Sequence, residues 1–159
     1  MQNVEEIYQN YFKTVYKYLL CLTRDSNLAE ELTQETFYKA VQKVDTFKHQ
    51  CKMSVWLCQI AKNLWYNERK KNKHIANLSD KQFLDIQDKH KTEDSVIEKE
   101  EKIALYKNIQ KLDKKTKNVV YLRITGNLSF KEIGDILNQT ETWARVTFYR
   151  GKQKLKGEM

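Results

Sequence analysis

Hydrophobic residues recur at helical spacing along most of the chain. Between Val4 and Thr23, the residues Ile7, Tyr8, Tyr11, Phe12, Val15 and Leu19 form the stripe of an amphipathic helix. The turn RDSN follows, and Asn27 with Glu30 has the form of a capping box opening a second helix to about Val44. A loop, DTFKHQCKM, then leads to Ser54 as the N-cap of a third helix. At about 100° per residue, Trp56, Leu57, Ile60, Ala61 and Leu64 of that helix share one apolar arc. Trp65 lies nine residues after Trp56 and points roughly the opposite way, together with Gln59, Lys62, Asn63, Tyr66 and Arg69.

The periodicity lapses over KHIANLSDKQFLDIQDKHKTEDSVIEKEE, a polar stretch that reads as a linker, and resumes afterwards. A helix is expected from about Asp94 to Leu112, and a second, capped by Asp113, ends near Gly126. Ser129 and Glu132 then form a capping box before the apolar face of Phe130, Ile133, Ile136 and Leu137, where Gly134 permits close helix approach. A short NQT turn gives way to a last helix capped by Thr140 or a near neighbour, the spacing of a helix-turn-helix. The expected fold is all-α: two small helical domains, residues 1–72 and 97–159, joined by a polar acidic linker, 73–96. The C-terminal domain contains the helix-turn-helix.

Composition agrees with this reading and adds a partner. The 159 residues include no proline and only four glycines, as a nearly all-helical chain should. The formal net charge is +8, distributed unevenly: net +3 over residues 1–72, −3 over 73–101 and +8 over 102–159. A basic balance suggests an acidic partner, either nucleic acid or an anionic membrane. The start MQNVEEIYQNYF has no basic and apolar regions of the secretory kind, so no signal peptide is expected, and no apolar run approaches the ~20 residues that span a bilayer. Cys21, Cys51 and Cys58 read as reduced cytosolic thiols. With His49, Cys51 and Cys58 match no closed four-ligand zinc pattern, and neither a metal nor a cofactor is expected.

The faces of two helices carry the chemistry. On the third helix, Trp65 and Tyr66 beside Lys62 and Arg69 suit stacking on bases and pairing with phosphates of a single strand. A membrane-surface helix would instead keep its aromatics on the apolar side. The competing structural reading packs Trp65 and Tyr66 under a neighbouring segment. On the last helix, Ala144, Phe148, Gly151 and Leu155 face inward, while Thr142, Arg145, Val146, Tyr149, Arg150, Lys152 and Gln153 form the outer arc, with Trp143 at its flank. Arginine can bind guanine bidentately or grip phosphate, and Thr142 and Gln153 can contact a base or the backbone. A solvated basic hairpin is the plain alternative.

Two long segments resemble a known family. LAEELTQETFYKAVQKVDTFKHQCKMSVWLCQIAKNLWYNERKK is similar to the core-binding and −10-binding domain of bacterial sigma factors. LDKKTKNVVYLRITGNLSFKEIGDILNQTETWARVTFYRGKQKLK is similar to their −35-binding domain. The short two-domain layout resembles the extracytoplasmic-function group of the sigma-70 family. The resemblance implies that Glu31, Gln34 and Glu35 contact the clamp helices of RNA polymerase. It also implies that Phe47 and Asn63 form a pocket for a flipped −10 base, walled by Lys48 to Lys52, and that Arg145, Tyr149 and Arg150 touch the −35 element. The outer face of the third helix, with Lys62, Trp65, Tyr66 and Arg69, would lie against the opened non-template strand, and Trp56 belongs to the core. Thr142, Val146 and Lys152 complete the expected −35 surface.

Several positions depart from the family pattern. Glu31 stands where aspartate is commoner, and His49, Gln50 and Cys51 replace small and acidic residues in the pocket loop. Thr140, Thr142 and Trp143 replace Pro, Gly and Thr at the start of the last helix. The implied protein is an alternative sigma factor with core RNA polymerase and promoter DNA as partners and no catalytic residue of its own. It would be cytoplasmic, held in some cases at the membrane by an anti-sigma partner. The rival is a stand-alone helix-turn-helix regulator, which predicts a palindromic operator and leaves the acidic AEELTQE patch without a purpose. An enzyme acting on nucleic acid is disfavoured, because no nucleophile–base pair, carboxylate cluster or metal set emerges.

Overall fold

A computed structural model of the chain describes residues 4–47, 51–72 and 96–157. The described residues are helical with short turns, in agreement with the all-α expectation. Helix α1 spans Val4–Thr23, α2 Ser26–Lys43 and α3 Met53–Asn72, with one turn of 3-10 helix at Val44–Thr46. The second half contributes α4 Val96–Gln110, α5 Lys114–Ile124, α6 Phe130–Leu137 and α7 Glu141–Gly157. The expected linker, apart from residue 96, and the loop residues Lys48, His49 and Gln50 lie outside the described residues.

Local chemistry explains the boundaries. The cap of α2 is Asp25 rather than Asn27: its carboxylate accepts from the N–H groups of Asn27 and Leu28 at 3.0 and 3.2 Å. Ser54 is likewise not a cap, because α3 already begins at Met53 and the N–H of Trp56 bonds Lys52 O at 3.1 Å. Asp113 stands at the N-cap of α5 in extended geometry, with its side chain making no capping bond. The Ser129 box is formed as expected: Ser129 Oγ accepts from Glu132 N at 3.1 Å, and Ser129 N donates to Glu132 Oε1 at 2.8 Å. Asn138, with φ 58, ends α6 in the left-handed region, which asparagine tolerates better than most residues.

Helices α1, α2 and α3 pack against one another around Val15, Leu19, Leu20, Val55, Leu57 and Ala61. Helices α5, α6 and α7 pack around Val119, Ile133, Ile136 and Ala144. These are not separate cores. One buried apolar cluster runs from the first three helices into α5, α6 and α7. A smaller one, of Ile109, Leu112, Val120 and Leu155, closes the far side. The two halves therefore meet along a seam in which α3 and α1 face α6 and α5.

Polar groups stud this seam. Tyr18 OH donates to Asn118 Oδ1 at 2.7 Å, and the Tyr18 and Tyr121 rings stack with centroids 6.1 Å apart. Gln59 Nε2 donates to the carbonyl of Asp135 at 3.1 Å, Asn118 Nδ2 to Tyr66 OH at 3.5 Å, and Lys52 pairs with Glu132 at 3.2 Å. Burial opposes ionisation of Glu132, but the Ser129 backbone N–H and the Lys52 ammonium outweigh it and hold the carboxyl below its ordinary value. Burial drives the Tyr18 hydroxyl well above the usual tyrosine value, so it stays a donor.

Candidate nucleic-acid interface

The last helix presents its expected arc to solvent. The Thr140 hydroxyl accepts from Trp143 N at 3.0 Å and so starts α7 in register, as the sequence suggests. Ala144, Gly151 and Leu155 are buried and Phe148 is half-buried, which turns Thr142, Arg145, Val146, Tyr149, Arg150 and Lys152 outward. Tyr149 is 52% exposed. Glu141 holds Arg145 at 3.0 Å, and its guanidinium lies 5.4 Å from the centroid of Phe130. Arginine positioned this way is partly ordered before any ligand arrives, which lowers the entropy lost on binding.

A groove of about 570 Å³ flanks this arc, lined by Trp143, Thr147, Arg150 and Gln153 of α7 and by Lys115 of α5. Lys115 is absent from the sequence-based set. The KKTK run at the start of α5 was the available signal, but only the packing of α5 beside α7 brings it to the same groove.

The third helix departs from expectation. Trp65 is 7% exposed and Lys62 3%, so neither lies on an open outer face. Tyr66 and Arg69 are half-buried, and Asn63 alone among the expected strand-facing residues of α3 is exposed. The cause is the seam: α3 has neighbours on both sides, and Asn118 of α5 reaches Tyr66 while Leu22, Lys114 and Lys117 gather beside Trp65. The packing alternative for Trp65 and Tyr66 is thus the one realised in this arrangement. Lys62 and Arg69 still sit over the Tyr66 ring, at 5.5 and 5.7 Å from its centroid, and Arg69 is also 5.9 Å from that of Trp65. Desolvation lowers the pKa of the Lys62 ammonium.

In the pocket loop, Phe47 is half-buried and stacks on Trp56, centroids 4.7 Å apart and planes 18° from parallel. Trp56 is half-buried and packs against the core, consistent with its assignment there. Lys48 lies outside the described residues. Burial, then the charges of Asp135 and Glu132, raise the Cys51 thiol, which disfavours a reactive thiolate. Burial pushes Cys21 and Cys58 up to about 12. Among the described residues no group of His, Cys, Asp or Glu is placed to hold a metal ion.

On α2, Glu31, Gln34 and Glu35 are exposed and lie on one side at i, i+3 and i+4 spacing. Beside them opens an apolar groove of about 250 Å³ between α1 and α2, lined by Ile7, Tyr8, Gln34, Phe37, Tyr38 and Val41. Tyr38, four residues beyond Gln34, is 66% exposed. Sequence reading missed Tyr38 and Val41, although an aromatic at helical spacing from an acidic patch was a signal that could have found them.

Comparison with known proteins places the whole chain in a family. The pattern of sigma-70 region 2 matches residues 7–75. The chain is 30% identical over 153 residues to the ECF RNA polymerase sigma factor SigM of Bacillus subtilis (strain 168), covering 96% of this chain and 93% of that protein. Against the ECF RNA polymerase sigma factor SigW of the same organism, identity is 30% over 159 residues, covering 91% and 85%. In fold, it matches the sigma factor RpoE solved in complex with the anti-sigma factor NepR from Bartonella quintana, with TM-score 0.73, 16% identity and coverage of 96% and 94%. With near-complete coverage at this identity, the chain belongs to the extracytoplasmic-function group of sigma-70-type RNA polymerase sigma factors.

Proposed function

We propose that this chain is an alternative sigma factor whose three exposed surfaces divide the work of initiation. The arc of α2 at Glu31, Gln34 and Glu35, extended by the apolar groove at Tyr38 and Val41, docks on core RNA polymerase. Acidic side chains on an otherwise basic chain give such a surface its selectivity, and the groove gives it apolar area to bury. The α7 arc reads the −35 duplex, and Phe47 and Asn63 take the −10 base. The protein supplies binding and strand selection while the polymerase performs the chemistry. It acts in the cytoplasm, where polymerase and promoter meet, and an anti-sigma protein is its expected restraint, anchored in some cases at the membrane. Among the described residues no helix is long and apolar enough to cross a bilayer.

The observation that carries this reading is the α7 arc, facing outward on a helix capped by Thr140 directly after the boxed helix α6, in a chain with sigma-factor identity along its length. The closed seam adds a condition. Lys62 and Trp65 meet a DNA strand only after α5 and α6 leave α3.

The direct test is competition with the principal sigma factor for bacterial core polymerase. The wild-type chain should co-elute with core enzyme, and Gln34→Ala combined with Glu35→Ala should weaken that binding by about tenfold or more. A well-folded wild-type sample that never displaces the principal factor would favour a stand-alone regulator. For the −35 surface, Arg150→Ala is expected to cost about 1–3 kcal/mol at a cognate promoter if the side chain reads a base. An equal loss on scrambled duplex would reassign Arg150 to a phosphate.

A further inference from the structure

The seam contains a concentration of positive charge of which only Arg69 belongs to the expected strand-facing set, and Lys114 and Lys117 belong to neither the DNA-reading nor the polymerase-docking surface. A notch of about 40 Å³ lies between the halves, lined by Arg69 of α3, by Lys114, Lys117 and Asn118 of α5, and by Tyr66, with Leu22 and Trp65 completing it. Three of these residues are cations, and none is a carboxylate. Burial, partly opposed by the Cys21 sulfur, and then the like charges of Arg24, Lys114 and Arg69 press the Lys117 ammonium below the ordinary lysine value. Lys117 Nζ donates to a neutral group, Gln110 Oε1, at 3.2 Å.

The helix itself adds to the repulsion. The first turn of α5 carries Lys114, Lys115 and Lys117 against a single acid, the N-cap Asp113, although helix N-termini carry partial positive charge and disfavour cations. Local choices that oppose the fold in this way commonly mark function. Two of the side chains lining the notch are held in place by their neighbours. The Arg69 guanidinium is held over the rings of Trp65 and Tyr66, and Asn118 Nδ2 is turned toward Tyr66 OH at 3.5 Å.

We propose that the notch is a binding site for a phosphate-class oxyanion, either free phosphate or the terminal phosphate of a nucleotide, gripped by Arg69 from one half and by Lys114 and Lys117 from the other. The size suits one tetrahedral group, and a guanidinium with two ammonium groups is the donor set such a group takes. Because the cations come from both halves, the complete site exists only while the seam is closed. An anion bound there must stabilise the closed arrangement by its differential affinity for it.

The test is thermal unfolding of the full chain in inorganic phosphate, with sodium chloride adjusted to keep ionic strength fixed. A rise in Tm of about 4 °C at 10 mM phosphate is expected for a site of millimolar affinity. Lys117→Gln should abolish the increment without lowering the Tm in chloride, since it also relieves repulsion. A merely structural lysine would behave in the opposite way, with a lower starting Tm and the increment intact, and that result overturns the site. Lys114→Gln, on an exposed side chain, gives the same comparison should Lys117→Gln fail to fold. ATP and pyrophosphate separate the two sources. More than tenfold tighter action than phosphate identifies a nucleotide or diphosphate terminus, and equal action identifies free phosphate. Small-angle scattering should show a smaller radius of gyration, or an unchanged compact one, in phosphate. Expansion, or a Tm response no larger than that of chloride, refutes the proposal.

Discussion

Alanine at position 134 is expected to destabilise the packed pair α6 and α7 by about 3 kcal/mol, the range of a forced core rearrangement. A Cβ added to Gly134 would sit 2.6 Å from Gln139 O and 3.0 Å from Thr140 O. Both are backbone atoms of the turn, so no side-chain rotation relieves the overlap. The turn must move, although Gln139 N is bonded to Gly134 O at 2.8 Å and Thr140 caps α7. A displaced turn carries α7 with it, so −35 duplex binding should fall even though Arg145 and Arg150 are untouched. Urea denaturation followed by helicity, together with duplex binding, checks both effects. Gly151 is equally confined by side chains: its added Cβ would meet the Cγ2 methyls of the buried, β-branched Thr116 and Val120 at 2.7 and 2.8 Å. Their χ1 angles are stiff within a helix, so Gly151→Ala should also be destabilising, by pushing α7 away from α5 rather than by moving the turn. Equal midpoints for Gly134→Ala and wild type would mean that the turn has slack that the contacts deny.

Trp65→Ala is the second large expectation, at about 3–5 kcal/mol of lost stability, because a buried indole leaves a cavity the surroundings fill only in part. Trp65 belongs to the common core at 7% exposure, and Arg69 rests against its ring. A tryptophan displayed on an open face would lose single-strand affinity on truncation and little else. The two roles thus separate in one pair of measurements, thermal melting and binding to a single-stranded oligonucleotide. Asn63→Ala is the companion control. Asn63 is exposed, so its melting temperature should stay near wild type.

That contrast shows where sequence reading succeeds and where it stops. Residues whose partners lie within a few positions were legible. The Ser129–Glu132 box, the Thr140 cap and the outward arc of α7 depend on local hydrogen bonds and on the period of one helix, and all three are present as expected. Trp65 and Lys62 were misplaced for the complementary reason. A period of 3.6 sorts residues into faces, but does not say how many faces are covered, and α3 is flanked on both sides. Caps failed where polar residues come in series: in Asp25-Ser26-Asn27 any of the three can cap, and only the path of the chain out of α1 selects Asp25. The apolar groove beside Gln34 was invisible because it needs α1 and α2 together. The notch at Arg69 and Lys117 needs both halves of the chain.

The bond between Tyr18 and Asn118 joins residues 100 positions apart, and this has a consequence for the order of events during synthesis. At bacterial elongation rates, about 5–20 s separate the making of Tyr18 from that of its partner. Through that interval the first three helices emerge from the ribosome and fold with the α3 side wet. Tyr18, Lys62 and Tyr66 each have a polar tip that water can satisfy, so the nascent bundle carries there a surface that tolerates waiting. On the ribosome, the exposed α2 arc of Glu31, Gln34 and Glu35 is complete before α5 arrives to cover α3.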